Sequence, residues 1–194
     1  MKQVKTAYRI VIPFLILGVF LFAVGCSSNN DGSGSNPNSP QDENLSTLEA
    51  VLENTFTGPN QELNRLSNDP ENLTVIGKNS ETKNPESPNE LVLYLEEMYQ
   101  PHFTEETYNE YVGEYVFSYQ AKENDEMKVD NIDIKQKESN EIIYDFTANV
   151  EYQAEGNEAQ VYELKGQANF SEEGKIKEFK LYSDDGLSKA LIEI

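Results

Sequence analysis

Few residues in this chain are equipped for chemistry. Its 194 residues include one cysteine, Cys26, one histidine, His102, and 35 Asp and Glu against 15 Lys and Arg. A lone cysteine closes no disulfide within the chain and builds no CxxC or thiolate zinc cluster. A lone histidine leaves no two-histidine metal site. The chain has no Gly-Xaa-Ser-Xaa-Gly, no phosphate loop and no His-Glu-Xaa-Xaa-His. His102 stands between Pro101 and Phe103 in a turn joining two expected helices, the place of a surface or boundary residue rather than of a general base. The oxygen-rich stretches Glu123-Asn124-Asp125-Glu126 and Asp130-Asn131-Ile132-Asp133 lack the alternating acids, central Gly and final Glu of a calcium loop. They read as solvated hairpins, and Ser183-Asp184-Asp185-Gly186 reads as a turn. The sequence thus predicts no catalytic residue, no metal and no cofactor.

The tyrosines carry more information. Tyr94, Tyr99, Tyr108, Tyr111, Tyr115 and Tyr119 fall within 26 residues. Tyrosine joins apolar contact area to a polar tip and is common at pocket mouths and interfaces. Tyr94, Tyr99, Tyr111, Tyr115 and Tyr119 are therefore candidates for a pocket or interface. The competing reading is that they build the core between helices and sheet.

The N-terminus reads MKQVKTAYRIVIPFLILGVFLFAVGC. Basic residues (Lys2, Lys5, Arg9) precede an apolar run from Ile10 to Val24, and small residues lead to the cysteine. This is the order of a secretory signal. The run is about 15 residues and contains Pro13, short of the roughly 20 that span a bilayer. It ends in Ser-Ser-Asn-Asn, not in a basic stop-transfer cluster. Cleavage ahead of Cys26 removes Lys2, Lys5 and Arg9 and leaves 12 bases against 35 acids, a net charge of −23. Such a body repels phosphate backbones, so nucleic acid is excluded as a partner.

Residues 27–44, SSNNDGSGSNPNSPQDEN, carry no aromatic or aliphatic side chain. That composition cannot offset its ordering entropy and predicts a disordered tether with a root-mean-square reach of about 24 Å. Three segments follow: a signal over 1–25, Cys26 and the tether over 26–44, and one domain over 45–194.

The domain opens with helical patterns. Ser46-Thr47-Leu48-Glu49 is a capping box, and Leu48, Val51, Leu52 and Phe56 follow at helical spacing until Gly58-Pro59. Asn60 is placed to cap a short helix carrying Leu63 and Leu66. Residues 77–90 read as a loop. Ser87-Pro88-Asn89-Glu90 is a second capping box, opening a helix with Leu91, Leu95 and Met98 on one face and Val92 and Tyr99 beside it. Thr104 is placed to cap a helix from Glu105 to Val112.

After Gly113 the period changes to two. Tyr115, Phe117, Tyr119 and Ala121 predict a first strand, and Ile132 with Ile134 a second, more polar one. Ile142, Tyr144, Phe146, Ala148, Val150, Tyr152 and Ala154 share one face of the clearest strand, with Asp145, Asn149, Glu151 and Gln153 on the other. Tyr162, Leu164, Ala168 and Phe170 mark the next strand, Phe179 and Leu181 the last. Breaks at 138–141, 155–157 and 172–174 are hairpin connections. The fold class is α+β: N-terminal helices packed on a curved antiparallel meander with one wet face.

Two resemblances add to this. Ala23-Val24-Gly25-Cys26 resembles the lipobox of bacterial prolipoproteins, with Ala23 where that motif usually has Leu. It implies a diacylglyceryl thioether on Cys26 and cleavage before it. The order of elements from about Leu45 onward resembles the nuclear transport factor 2-like, or cystatin-like, superfamily. So do the patches Tyr94-Leu95-Glu96-Glu97-Met98-Tyr99 and Phe103-Thr104-Glu105-Glu106-Thr107-Tyr108. The chain is similar in particular to uncharacterised Gram-positive lipoproteins with such a domain. A cone-like fold is implied; no activity is, because the group includes enzymes, transport factors and assembly modules. Enzymes of this fold use an Asp, His or Tyr projecting into the cone, and Asp145 lies on the face opposite Tyr144.

The expected function is that of a lipid-anchored module on the outer face of a cell membrane, binding a small ligand or an envelope protein without catalysis. The alternative is an assembly lipoprotein that dimerises through its sheet. A small hydrolase or isomerase is the third reading.

Overall fold

The computed structural model describes residues 40–70, 72, 89–171 and 174–193. The chain divides into units Met1–Gly34 and Ser35–Ile194, and all described residues belong to the second. The signal, Cys26, most of the tether, Ser87 and Pro88 lie outside the described residues.

Helix α1 (Pro40–Phe56) begins five residues before the expected start of the domain. The tether therefore cannot extend to residue 44, and Ser46 is no cap: its hydroxyl donates to the Glu43 carbonyl within the helix. The expected boundary rested on polarity alone, yet Asn44 is buried and Leu45 is half-buried against the core. Leu48, Val51, Leu52 and Phe56 are fully buried, at the spacing of a single stripe along a helix. Helix α2 (Gln61–Asn68) is capped by Asn60, whose side chain accepts from the Leu63 N–H, and buries Leu63 and Leu66 as expected. Helix α3 (Glu90–Tyr99) is capped by Asn89, whose side chain accepts from the Leu91 N–H; the cap is thus Asn89 and not Ser87. Its buried face is Leu95 and Tyr99, while Val92 is exposed. A tight turn (Gln100–His102) leads to α4 (Glu105–Tyr111), and Thr104 bonds Thr107 rather than a backbone N–H at this helix start.

The strand expected at 115–121 does not form. Helical backbone continues as a wider π turn over Val112–Val116. Tyr111, Tyr115 and Tyr119 are all buried at a spacing of four, whereas Phe117, which alternation would point inward, is 43% exposed. Residues 115 and 119 satisfy both periods, so a short apolar run could not decide between them.

Four antiparallel strands follow in the order β1 (Glu126–Lys137), β2 (Asn140–Gln153), β3 (Gln160–Phe170) and β4 (Ile176–Ser183). In β2, Tyr144, Phe146, Ala148, Val150 and Tyr152 face the core, and the parity expected of this strand holds. Leu164, Ala168 and Phe170 of β3 and Phe179 of β4 lie on the same side. Phe146 pairs across the ladder with Gly166, the gap in the β3 pattern that its ring fills. A short helix, α5 (Leu187–Ile192), follows the Ser183–Gly186 turn and buries Leu187 and Leu191. It is absent from the sequence-based expectation, because six residues show too little periodicity to be read. The architecture is α+β, a four-stranded meander with helices on its inner face.

Candidate functional site

The tyrosines meet, but inside the protein. Tyr99 and Tyr111 are 1% exposed, Tyr115 and Tyr119 are buried, and Tyr94 is half-buried. The Tyr111 ring lies 4.4 Å from that of Phe103, 4.9 Å from Phe179 and 5.1 Å from Tyr115, centroid to centroid. Phe179 in turn stacks on Phe146 at 5.3 Å. Edge and offset contacts of this kind each add roughly 0.5–1.5 kcal/mol to burial.

The hydroxyls act as ties between elements. Tyr111 Oη shares a 2.8 Å hydrogen bond with Thr55 Oγ1 of α1, and Tyr99 Oη donates to the Asn54 carbonyl at 3.1 Å. Tyr119 donates to Asp184 Oδ2 at 3.0 Å. Tyr94 Oη accepts from Asn60 Nδ2 at 2.9 Å. Burial raises the Tyr99 hydroxyl to a pKa of about 12, and raises those of Tyr111 and Tyr119 as well. These groups stay protonated and serve structure. The expectation of a pocket among them is corrected to a filled core. The space beside Thr55, Leu63, Tyr99, Val116, Tyr119 and Met127 measures about 10 Å³, one water at most.

The carboxylates of buried Asp125 and half-buried Asp184 are engaged in the same way. Asp125 accepts from Tyr152 Oη at 2.7 Å and from the Glu155 N–H at 3.0 Å. Desolvation opposes its ionisation, but those bonds prevail and hold it below the usual carboxylate range. Asp184 is held low likewise by Ser188, Gly186 and Tyr119, and so fastens the start of α5. His102 is half-buried, and desolvation lowers its pKa. Asp145 lies on the outer sheet face, as expected, accepting from Gln167 at 2.6 Å. Among the described residues no three His, Cys, Asp or Glu side chains gather to hold a metal ion, and no helix is long and apolar enough to cross a membrane.

A far larger concavity lies outside the core. A cleft of about 960 Å³ runs between the exposed face of α2 and residues 120–123. Gln61, Asn64, Arg65 and Asn68 line one wall at helical spacing, opposite the face that buries Leu63 and Leu66; Gln120, Lys122 and Glu123 line the other. Arg65 is already clamped: Nη2 and Nε donate to the two carboxylate oxygens of Glu62 at 2.7 and 3.0 Å, with Glu90 at 3.6 Å. The carboxamides of Gln61, Asn64 and Gln120 bond no described side chain or backbone group. Of the cleft residues, the sequence singles out Glu123, as part of an oxygen-rich stretch, and none of the carboxamides Gln61, Asn64 and Gln120. The legible signal was amide density, with Asn60, Gln61, Asn64, Asn68 and Asn72 inside 13 residues.

Comparison of the chain with known protein families, with curated proteins and with solved structures returned no match.

Proposed function

We propose that this protein is a lipid-anchored binding module on the outer face of a cell membrane. It is held through Cys26 and takes its ligand in the α2 cleft. The observation that carries the binding role is the division of space: an interior filled by tyrosine and phenylalanine rings, and outside it a cleft of about 960 Å³ lined by unengaged carboxamides. Binding sites for small molecules commonly measure about 300–1,000 Å³. The anchor rests on the signal-like N-terminus and its lipobox. Two acyl chains hold a protein stably where one does so marginally. Helices packed on the inner face of a meander support the cone-like, nuclear transport factor 2-like reading of the fold. The filling of that cone argues for recognition on the outside and for no reaction within. Nucleic acid and cofactors have no place in this reading.

Self-association through the outer sheet face is the second reading, favoured by Val161 and Tyr182, which are 60% and 62% exposed. Against it, that face carries paired charges, Lys165 with Glu163 and Lys180 with Glu178.

The test is amide NMR of the full chain in micelles during addition of a soluble cell-envelope extract. Shifts confined to Gln61, Asn64, Asn68 and Gln120 support the cleft. Shifts across β2–β4, or concentration-dependent dimerisation, support the second reading and overturn the first.

A further inference from the structure

Resting on the cleft reading above, we infer that the cleft takes a neutral, hydroxyl-rich ligand of the saccharide class. Four side-chain amides line it: Gln61, Asn64, Asn68 and Gln120. Each carboxamide offers two donors and an acceptor, the complement of hydroxyls that both give and accept. Three of the four make no hydrogen bond to a described residue, so a ligand displaces water from them rather than breaking protein contacts.

The other ligand classes fit less well. Among the described lining residues, an apolar ligand finds the side chains of Pro70 and Ala121 alone. An anion meets Arg65 and Lys122, but Glu62 already occupies the Arg65 guanidinium bidentately, and Asp69 and Glu123 on the same walls outweigh Lys122. A chain of net charge −20 also repels an anion at distance. For a cation, Glu62 takes up Arg65, and Asp69 and Glu123 stand against Lys122 among the described lining, one carboxylate in excess; the spermidine probe below separates that class from a saccharide. A peptide needs a strand edge or an aromatic groove, and these walls are a helix face and a turn.

The test titrates the full chain, in micelles of a non-glycosidic detergent, with four probes: maltotriose, triacetylchitotriose, inorganic phosphate and spermidine. The side-chain NH₂ resonances of Gln61, Asn64 and Gln120 are followed by NMR. At least one trisaccharide is expected to shift all three, and Asn64→Ala and Gln120→Ala each to weaken it about tenfold, the loss of one or two hydrogen bonds. Asn64→Asp, which keeps the shape and removes the donor, is expected to do the same. Both sites are on the surface, so unchanged melting temperatures check that the variants fold. Shifts with phosphate or spermidine, and none with either saccharide, overturn the ligand class and leave the cleft reading standing. Silence with all four probes also overturns the class; if the envelope extract leaves the cleft silent too, the cleft reading falls with it.

Discussion

Gly166 shows how one residue without a side chain can fix the packing of another. A Cβ built on it lies 2.4 Å from Phe146 Cζ and 2.4 Å from the Lys180 carbonyl oxygen. Neither neighbour yields freely: the ring is buried and stacked on Phe179, and the carbonyl is held in the β3–β4 ladder. Gly166→Ala is expected to cost roughly 1–3 kcal/mol by overpacking. Phe146→Ala, which empties the site instead, is expected to cost roughly 3–5 kcal/mol. Thr147, on the opposite face of β2, is expected to tolerate Ala within about 0.5 kcal/mol. Urea titration of the three variants checks the order, and a damaging Thr147→Ala would reverse the assigned faces. The tyrosines yield a second expectation at this scale. A phenol whose folded pKa is raised binds its proton more tightly in the folded state. Its contribution is fully present below the unfolded value of about 10 and is lost as pH rises towards the folded value, about 12 for Tyr99. Stability measured by urea midpoint is therefore expected to fall between about pH 10 and pH 12, with a late group of tyrosines ionising as the fold is lost. A flat profile would place these hydroxyls in water.

At the scale of elements, the sequence was most readable where a single period ran long. The β2 alternation from Tyr144 to Tyr152 and the α1 stripe from Leu48 to Phe56 each leave one solution, and both are found. Legibility failed where two periods coincide, at Tyr115 and Tyr119, and where polar composition hid a helix start, at Pro40–Asn44. It failed at the site for a different reason. A binding face must stay polar, and Gln61, Asn64 and Asn68 look like any solvated helix face until Gln120 and Lys122 are brought opposite them by the chain's return after α4. The α1 extension is testable by truncation. Deleting residues 29–39 is expected to leave the melting temperature unchanged, since nothing in SSNNDGSGSNPNS-type sequence packs a core. Extending the deletion through residue 44 removes the start of α1 and the buried Asn44 and uncaps Leu45. That is expected to cost about 1 kcal/mol, the scale of losing the buried hydrogen bond that Asn44 Nδ2 donates to Tyr144 Oη, and to lower the melting temperature by a few degrees. Equal effects of the two deletions would show that α1 effectively begins beyond residue 44.

At the scale of the whole molecule, charge and the proposed anchor would work in opposite directions. From Glu90 to Val116 the chain carries seven glutamates and no Lys or Arg, so its helical side is repelled by anionic headgroups. On the proposed reading, a body of this charge would not settle on such a membrane unaided, so its retention there would rest on the covalent anchor at Cys26. The central claim, a binding body tethered through one lipidated residue, is tested most directly by detergent phase partitioning of the chain expressed in a bacterial host that lipidates prolipoproteins. The wild-type protein is expected in the detergent phase and Cys26→Ser in the aqueous phase, with the same melting temperature for the folded body. Equal partitioning of the two would contradict the account.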